Sequence, residues 1–316
     1  MRVLVTGANG LVGSRACAAL VRAGHVVTGA GRGPPRAHAQ SNGERVRGAQ
    51  GDSPRASAQF TYIAADLTRA EDVARAVEAA RPDAILHAAA MTEVDACERA
   101  PLDAWAHNVT ASELIAREAR RVGAHLVAIS TDYVFDGEAG PYSEEDIPNP
   151  RGAYAASKFA GELAVRTLAP SWAIARTAVV YGWPPAARLN FGAWLLSKLE
   201  KGEKVKLFED QFVSPSLADS VAEMVVELAL TRRQGIWNTC GGAVVNRVEF
   251  GRALCGVFGF DPSLIQPSLL SDAGLASPRP KRSGLKSDKA AAALDAKPLP
   301  LLESLRRFHA AWRGRA

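Results

Sequence analysis

Thr6-Gly7-Ala8-Asn9-Gly10-Leu11-Val12-Gly13 is a glycine-rich turn with the spacing GxxGxxG. It follows a short apolar, β-branched run at residues 3–6 and opens a segment, residues 11–23, whose apolar side chains recur at helical spacing. A second apolar run follows at residues 25–29. The order strand, helix, strand predicts a parallel sheet, with this turn at the carboxyl end of its first strand.

The glycines of this turn predict a phosphate-binding site. Gly7 permits the tight turn, Gly10 lets the backbone approach a pyrophosphate, and Gly13 allows close packing of helix on strand. The helix start adds unpaired N–H groups and a partial positive charge. The alternative is a structural turn without a ligand. The residues of the turn predicted to bind a dinucleotide are Gly7, Asn9, Gly10, Leu11, Val12 and Gly13.

The alternation of strands and helices continues to residue 177 and indicates a Rossmann-type doubly wound parallel sheet. Residues 33–59 interrupt it, because they are rich in Pro, Gly, Ser, Ala and Arg and hold almost no large apolar side chain. Such a segment buries too little surface to offset the entropy of ordering, so we predict a mobile insertion. From residue 178 the rhythm changes, and we predict a smaller carboxyl-terminal α/β substrate-binding lobe over residues 178–316.

The composition of the 316 residues is that of a globular protein, with 38 Lys and Arg against 33 Asp and Glu. The formal charge of +5 is too mild to argue for nucleic acid or a membrane as partner. Four scattered cysteines without a CxxC pair fit a reducing compartment. No apolar run approaches the ~20 residues of a membrane span. We therefore expect a cytoplasmic protein, and the spacing of His, Cys and Asp predicts no metal site.

The end of the second strand helps to choose the cofactor. It reads Gly29-Ala30-Gly31-Arg32-Gly33, with an arginine and no acidic residue to bind a ribose 2′-hydroxyl. Arg32 can pair with a 2′-phosphate, which favours NADP(H) over NAD(H); the alternative is that it faces solvent. Asp66, followed by Leu67, can bind the adenine amino group, or it can cap the helix after Thr68.

Tyr154-Ala155-Ala156-Ser157-Lys158 places a phenol and an ammonium on one helix face. The ammonium favours the phenolate and lowers the pKa of the phenol, so that Tyr154 can exchange a proton with a carbonyl oxygen while hydride is transferred. Thr131, at the end of a predicted strand, can donate a hydrogen bond to the same oxygen. A surface tyrosine with a lysine one turn on is the alternative, and the order of the three motifs argues against it.

With these motifs the chain resembles the extended short-chain dehydrogenases/reductases, and within them the dTDP-4-dehydrorhamnose reductases. The resemblance spans nearly the whole chain, and STDYVFDG with the late RP-x-x-S-x-L pattern is specific to this branch. The matching stretches are TGANGLVG (6–13), HAAAMTEVDACE (87–98), STDYVFDG (130–137), YAASKFAGE (154–162), RTAVVYG (176–182), DQFVSPS (210–216) and ASPRPKRSGL (276–285).

The resemblance implies a role for individual residues. Thr131, Tyr154 and Lys158 match the catalytic triad, and Lys158 also holds the nicotinamide ribose. Asn108 matches a supporting asparagine. The residues implied to run along the cofactor are Ala88, Ala89 and Thr92. Those implied to contact the sugar are Glu93, Val94, Thr131, Asp132, Tyr133 and Tyr154. Val179 departs from the family, which has a tryptophan there packing near the sugar.

The resemblance implies an NADPH-dependent reductase of a nucleotide-linked 4-keto-6-deoxy sugar, and many such relatives are homodimers. Two alternatives stay open. One is an epimerase or dehydratase of a nucleotide sugar; the other is an NADP-binding regulatory subunit like the β subunit of methionine adenosyltransferase. Two further residues have plain structural interpretations. We interpret His87 as a core histidine bonded to the backbone and Glu162 as a solvent-facing neighbour of Lys158.

Overall fold

Seven parallel strands form the central sheet of the computed structural model, which describes residues 1–34, 60–183 and 188–314. Residues 35–59 of the predicted insertion lie outside the described residues, so its predicted mobility stays a prediction. The central sheet consists of β1 to β6 and β11, and the other strands form short pairs. The strands of the described residues are β1 (Arg2–Thr6), β2 (Val26–Gly31), β3 (Phe60–Ala64), β4 (Ala84–His87), β5 (His125–Thr131), β6 (Trp172–Thr177), β7 (Val180–Tyr181), β8 (Val205–Phe208), β9 (Phe212–Val213), β10 (Ser216–Leu217), β11 (Gly235–Asn238), β12 (Val245–Asn246) and β13 (Ile265–Ser268).

Helices alternate with these strands, as the apolar periodicity predicts. The α-helices are α1 (Leu11–Arg22), α2 (Ala70–Ala80), α3 (Val94–Arg99), α4 (Pro101–Trp105), α5 (Ala111–Val122), α6 (Gly152–Leu168), α7 (Phe191–Leu199), α8 (Ala218–Leu230), α9 (Arg247–Phe258), α10 (Asp288–Ala293) and α11 (Leu301–Arg313). Between α4 and α5 the chain forms one π-helical turn, Ala106–Thr110.

The strand order of the sheet is β3-β2-β1-β4-β5-β6-β11, and every neighbouring pair is parallel. The order reverses between β1 and β4, and in such sheets the ligand crevice lies outside the carboxyl ends of the strands at the reversal. This confirms the predicted Rossmann-type doubly wound fold. It also places the glycine-rich turn, which follows β1, at that crevice.

Both faces of the sheet are buried, since successive strand residues enter two different cores. Val3 and Val5 pack with α1 and α8 on one face, whereas Leu4 packs with α2, α5 and α6 on the other. Parallel strands covered by helices on both faces read as continuous apolar runs rather than alternating ones. This explains why the short runs in the sequence locate the strands so well.

The smaller lobe has its own apolar core, formed by α7, α9 and α11 and by short strand pairs. Tyr181 lies at its centre, with Phe250 and Phe308 edge-on at 5.1 and 5.3 Å between ring centroids. The predicted boundary at residue 178 needs one correction. Helix α8 packs on the sheet beside α1, and β11 pairs with β6, so residues 218–238 return to the first domain.

Within the described ranges, no helix is both long and apolar enough to cross a lipid bilayer. The same part of the chain contains no group of three or more His, Cys, Asp or Glu side chains able to hold a metal ion.

Candidate active site

The glycine-rich turn closes tightly on the end of β4. Gly7 has a φ of +67°, and a Cβ there would lie 2.7 Å from the Ala89 nitrogen and 2.8 Å from the Ala88 carbonyl. A Cβ at Gly13 would lie 2.2 Å from the Gly7 oxygen. The bare backbone at these positions is therefore required by the fold of the turn itself. We predicted that Gly13 allows close packing of the helix on the strand, but the atoms that a Cβ at Gly13 would meet belong to Gly7 and Ala8 of the turn itself.

A cleft of about 1180 Å³ lies over the carboxyl ends of the central strands. The structure brings almost all predicted site residues together around it, from both the cofactor and the substrate sets. Asp132 and Tyr133 are the exceptions, because they lie behind Thr131 and Tyr154. The predicted residues that line the cleft are Gly7, Asn9, Gly10, Leu11, Val12, Gly13, Arg32, Asp66, Leu67, Ala88, Ala89, Thr92, Glu93, Val94, Thr131, Tyr154 and Lys158.

Asn9 fastens the segment that carries Arg32 at the rim of the cleft. Its side-chain amide donates to the carbonyl oxygens of Arg32, at 3.4 Å, and Pro34, at 3.0 Å. It also donates to the Tyr62 hydroxyl at 2.8 Å. Asn9 thus holds the end of β2 against the glycine-rich turn. The Arg32 side chain itself is exposed at the cleft.

Asp66 lies at the cleft, and its predicted contact with adenine stays a prediction. The predicted capping of the next helix was wrong, because α2 begins after Arg69 without a side-chain cap. The Asp66 carboxylate accepts hydrogen bonds from the Thr68 amide, at 3.0 Å, and the Thr68 hydroxyl, at 2.8 Å. These bonds lower the pKa of Asp66, so the group stays ionised at neutral pH. The carboxylate shapes the turn before α2 and keeps acceptor capacity towards the cleft.

Thr131, Tyr154 and Lys158 meet at the carboxyl end of β5. Lys158 is buried, its Nζ donates to the Ile129 carbonyl oxygen at 2.8 Å, and burial lowers its pKa to about 8, against the opposing charge of Glu162. Burial raises the pKa of Tyr154 well above its ordinary value near 10, while a hydrogen bond with Thr131 opposes the rise. The prediction that Lys158 lowers the Tyr154 pKa was therefore wrong for this structure, because desolvation dominates and raises it.

Glu162 is buried, so its interpretation as a solvent-facing residue was wrong. Its carboxylate accepts two hydrogen bonds from the Arg176 guanidinium, at 3.0 and 2.7 Å, and each side chain is only 1% exposed. The Arg176 guanidinium also lies over the Phe135 ring, 5.2 Å from its centroid. The sequence did contain a signal for a buried counter-charge, because Arg176 is a charged residue within the otherwise apolar strand β6. The pair ties α6 to β6 one turn beyond Lys158.

Asn108 and His87 anchor the floor of the cleft. The π-helical turn directs the Asn108 amide to both backbone groups of Met91, at 2.8 and 3.1 Å, and to the Ser157 hydroxyl at 3.0 Å. His87 is a core histidine as expected, but its partners are side chains rather than backbone: Thr6 at 2.7 Å and Ser112 at 3.3 Å. Burial lowers the pKa of His87 to about 3, which keeps it neutral.

Asp132 joins the catalytic strand to the smaller lobe. One of its oxygens accepts from the Thr131 hydroxyl at 3.1 Å, and the other accepts from the Ser283 hydroxyl at 2.5 Å. Burial raises the pKa of Asp132 to about 6. Tyr133 packs edge-on against Tyr154, with 5.7 Å between ring centroids. Both residues therefore support the triad from behind.

Residues 277–285, which we term the strap, hold the rim of the cleft. Arg279 pairs with Asp95 at 2.8 Å, and the Ser277 hydroxyl donates to Glu98 at 2.8 Å. Glu93 forms a separate ion pair with Arg188 at 2.6 Å across the mouth of the cleft. Val179 also lines the cleft and has a φ of +41°, which is strained for a β-branched residue.

The substitution Glu162→Gln should destabilise the protein by about 3–5 kcal/mol, because it leaves the Arg176 charge buried without a counter-charge. Urea denaturation measures this loss. The matched control is Glu303→Gln, which breaks an exposed pair with Arg307 at 2.8 Å and should cost no more than about 0.5 kcal/mol. Equal, small losses for both variants would contradict the role assigned to Glu162.

The substitution Asp132→Asn should flatten the dependence of stability on pH. The Asp132 carboxyl has a pKa of about 6 when folded and about 3.9 when unfolded, so between pH 4 and 6 the folded state binds more protons. The Asp132 contribution to stability therefore falls as pH rises through this window, by up to roughly 3 kcal/mol. Thermal unfolding of both proteins at several pH values tests this.

Asp261→Asn is the control for that series. Hydrogen bonds from Ser263 lower the pKa of Asp261, so its contribution changes only below this window. A wild-type slope between pH 4 and 6 that survives in Asp132→Asn would refute the assignment.

Comparison with known proteins agrees with this geometry. The family model described as "RmlD substrate binding domain" matches residues 1–313. A probable low-salt glycan biosynthesis reductase of Haloferax volcanii is 34% identical over 90% of this chain and 89% of its own. A dTDP-4-dehydrorhamnose reductase of Streptomyces griseus is 33% identical over 98% and 91%.

Among solved structures, the dTDP-4-dehydrorhamnose reductase of Bacillus anthracis in complex with NADP superimposes with a TM-score of 0.80. It is 26% identical, and the match covers 97% of this chain and 98% of that chain. The fold, the cleft and these similarities agree along nearly the full length of the protein. The chain belongs to the RmlD substrate-binding domain family, within the extended short-chain dehydrogenases/reductases.

Proposed function

We propose that this protein reduces the C4 keto group of a 6-deoxy sugar carried on a nucleoside diphosphate, with NADPH as reductant. The observation that carries the proposal is the meeting of Thr131, Tyr154 and Lys158 in the same cleft as the glycine-rich turn. The named relatives act in this class of chemistry. The implied sugar contacts, Glu93 and Val94, belong to the proposal, as does the role of the smaller lobe in receiving the nucleotide sugar.

The residues of the cleft fit a dinucleotide. Helix α1 begins after Gly10 without a side-chain cap and lines the cleft, so its first backbone N–H groups can bind a pyrophosphate. Asp66, ionised beside the cleft, can accept from an adenine amino group. Lys158 lines the same cleft and is the residue to which we assign the binding of the nicotinamide ribose. The cofactor, when bound, supplies the hydride.

Tyr154 supplies the proton in this scheme. Because burial raises its pKa, the phenol holds its proton at neutral pH and is ready to donate it to the carbonyl oxygen. The Lys158 ammonium nearby stabilises the phenolate that forms. Thr131 is fixed by its bond to Asp132, so its hydroxyl is oriented at the same end of β5.

The preference for NADPH rests on Arg32. The guanidinium is exposed at the cleft, Asn9 fixes the backbone that carries it, and the end of β2 has no acidic residue that would repel a 2′-phosphate. An arginine exposed at this position can form paired hydrogen bonds with the phosphate oxygens.

Tyr154→Phe should lower the turnover number by 10²–10⁴-fold, the usual contribution of a positioned general acid. The measurement follows NADPH absorbance with enzymatically prepared dTDP-4-dehydrorhamnose. Tyr181→Phe, in the core of the smaller lobe and bonded to Ser304, should leave turnover nearly unchanged. Wild-type protein that binds NADPH without consuming it on this or other keto sugars would point to a regulatory subunit. Sugar conversion without net NADPH loss would point to an epimerase or dehydratase.

Arg32→Ala should weaken NADPH binding by roughly 10- to 100-fold, because a charge-assisted hydrogen bond to the 2′-phosphate is lost. NADH, which lacks that phosphate, should bind the variant and the wild type alike. Titration of cofactor fluorescence compares the four affinities. Equal losses for NADPH and NADH would show that Arg32 shapes the loop instead of reading the phosphate.

A further inference from the structure

His107 lines the cleft, and its ring has no hydrogen-bond partner among the described residues. It lies in the π-helical turn Ala106–Thr110, directly before Asn108. Asn108 turns inwards to Met91 and Ser157, whereas its neighbour His107 is half-buried at the cleft. Nδ1 of His107 is buried. The opposite edge of the ring, which carries Nε2, is therefore the part left to meet the cleft.

The surroundings of His107 combine apolar side chains with one acceptor. Leu67 and Ala111 line the cleft with it, and Ala111 lies four residues further along the same helical segment. Hydrogen bonds from Thr68 are the main cause of the low pKa of Asp66, and His107 and Arg32 contribute electrostatically in the same direction. His107 therefore lies close enough to the Asp66 carboxylate for both to contact one small group.

The order of the strands indicates which half of a dinucleotide lies there. Arg32 and Asp66 follow β2 and β3, which pair at one edge of the sheet. Lys158 lies at the end of β5, on the other side of β1 and β4. With the pyrophosphate at the turn after β1, a nicotinamide ribose at Lys158 leaves the adenosine half on the side of Asp66.

We infer that His107 donates a hydrogen bond from Nε2 to a ring nitrogen of the cofactor's adenine, beside the amino group that Asp66 accepts. An adenine edge places a donor amino group next to an acceptor ring nitrogen, which matches an acceptor carboxylate next to a donor imidazole. A proton on Nε2 also means that no N–H is buried at Nδ1 without an acceptor. The inference rests on the proposed function, because it takes a nicotinamide adenine dinucleotide as the ligand.

The test measures cofactor binding by fluorescence titration of the full chain, without turnover. His107→Leu should weaken NADPH and NADH by the same factor, roughly 3- to 10-fold, because one neutral hydrogen bond to their common base is lost. In competition experiments AMP should lose the same factor, whereas ribose 5-phosphate, which has no base, should bind unchanged. His107→Gln keeps a side-chain donor and should lie between the wild type and His107→Leu.

The stability of the ligand-free protein separates binding from a structural role. His107→Leu replaces a buried nitrogen that has no partner by an apolar group, so its thermal unfolding temperature should equal or exceed that of the wild type. The matched control is His309→Leu, at a half-buried histidine of α11 in the smaller lobe, which should bind every ligand like the wild type.

Several results would overturn the inference. Unchanged affinities in His107→Leu show that the ring does not touch the cofactor. A loss confined to NADPH assigns His107 to the 2′-phosphate, and equal losses for AMP and ribose 5-phosphate assign it to the ribose or its phosphate. A lower unfolding temperature together with weaker binding of every ligand shows a structural role. A wild type that binds NADPH through His107 but reduces no keto sugar contradicts the proposed function alone.

Discussion

A row of three buried charges underlies the candidate active site: Lys158, Glu162 and Arg176. Glu162 lies one helical turn beyond Lys158, and its carboxylate is held by Arg176 from β6. The carboxylate therefore cannot turn towards Lys158 to neutralise it, yet its charge still opposes the loss of the lysine proton. This arrangement keeps a cation in the cleft that Tyr154 also lines, at the carboxyl end of β5. The ion pair of Glu162 and Arg176 also fixes the position of α6 against β6.

The strap explains why two distant stretches of sequence occur together. The Asp132 carboxylate accepts one hydrogen bond from the Ser283 hydroxyl and one from the Thr131 hydroxyl, so it joins the strap to the end of β5. Further along, Arg279 is held by Asp95 at the start of α3. A change in STDYVFDG without a matching change in the strap would leave a buried polar group unpaired. The two motifs therefore form one structural unit, although about 150 residues separate them.

Local patterns in the sequence were sufficient to predict the sheet, the glycine-rich turn and the meeting of Thr131, Tyr154 and Lys158 at one cleft. The turn follows from the β-branched run before Gly7, and the shared helix face of Tyr154 and Lys158 follows from their four-residue spacing. Thr131 joins them because it ends a strand of the same sheet. The partner of Glu162 could not be predicted in this way, because Arg176 is on another element and only the packing of α6 on β6 buries both. The return of residues 218–238 to the first sheet escaped prediction for the same reason, since β11 pairs with β6 through tertiary contacts alone.

Arg176 and Arg247 each bury an Nη1 atom that has no hydrogen-bond partner among the described residues, but the fold holds the two guanidinium groups in different ways. Arg176 has a counter-charge, because the Glu162 carboxylate accepts hydrogen bonds from its Nε and Nη2. For Arg247 the Gln211 side chain accepts from Nε, and the guanidinium lies over the Phe191 ring, so both of these contacts are with neutral groups. Burial lowers the pKa of Arg247, against the charges of Tyr133 and Asp132. A buried charge is costly without a counter-charge, so the pair of Arg176 with Glu162 fixes α6 on β6 more strongly than neutral partners could.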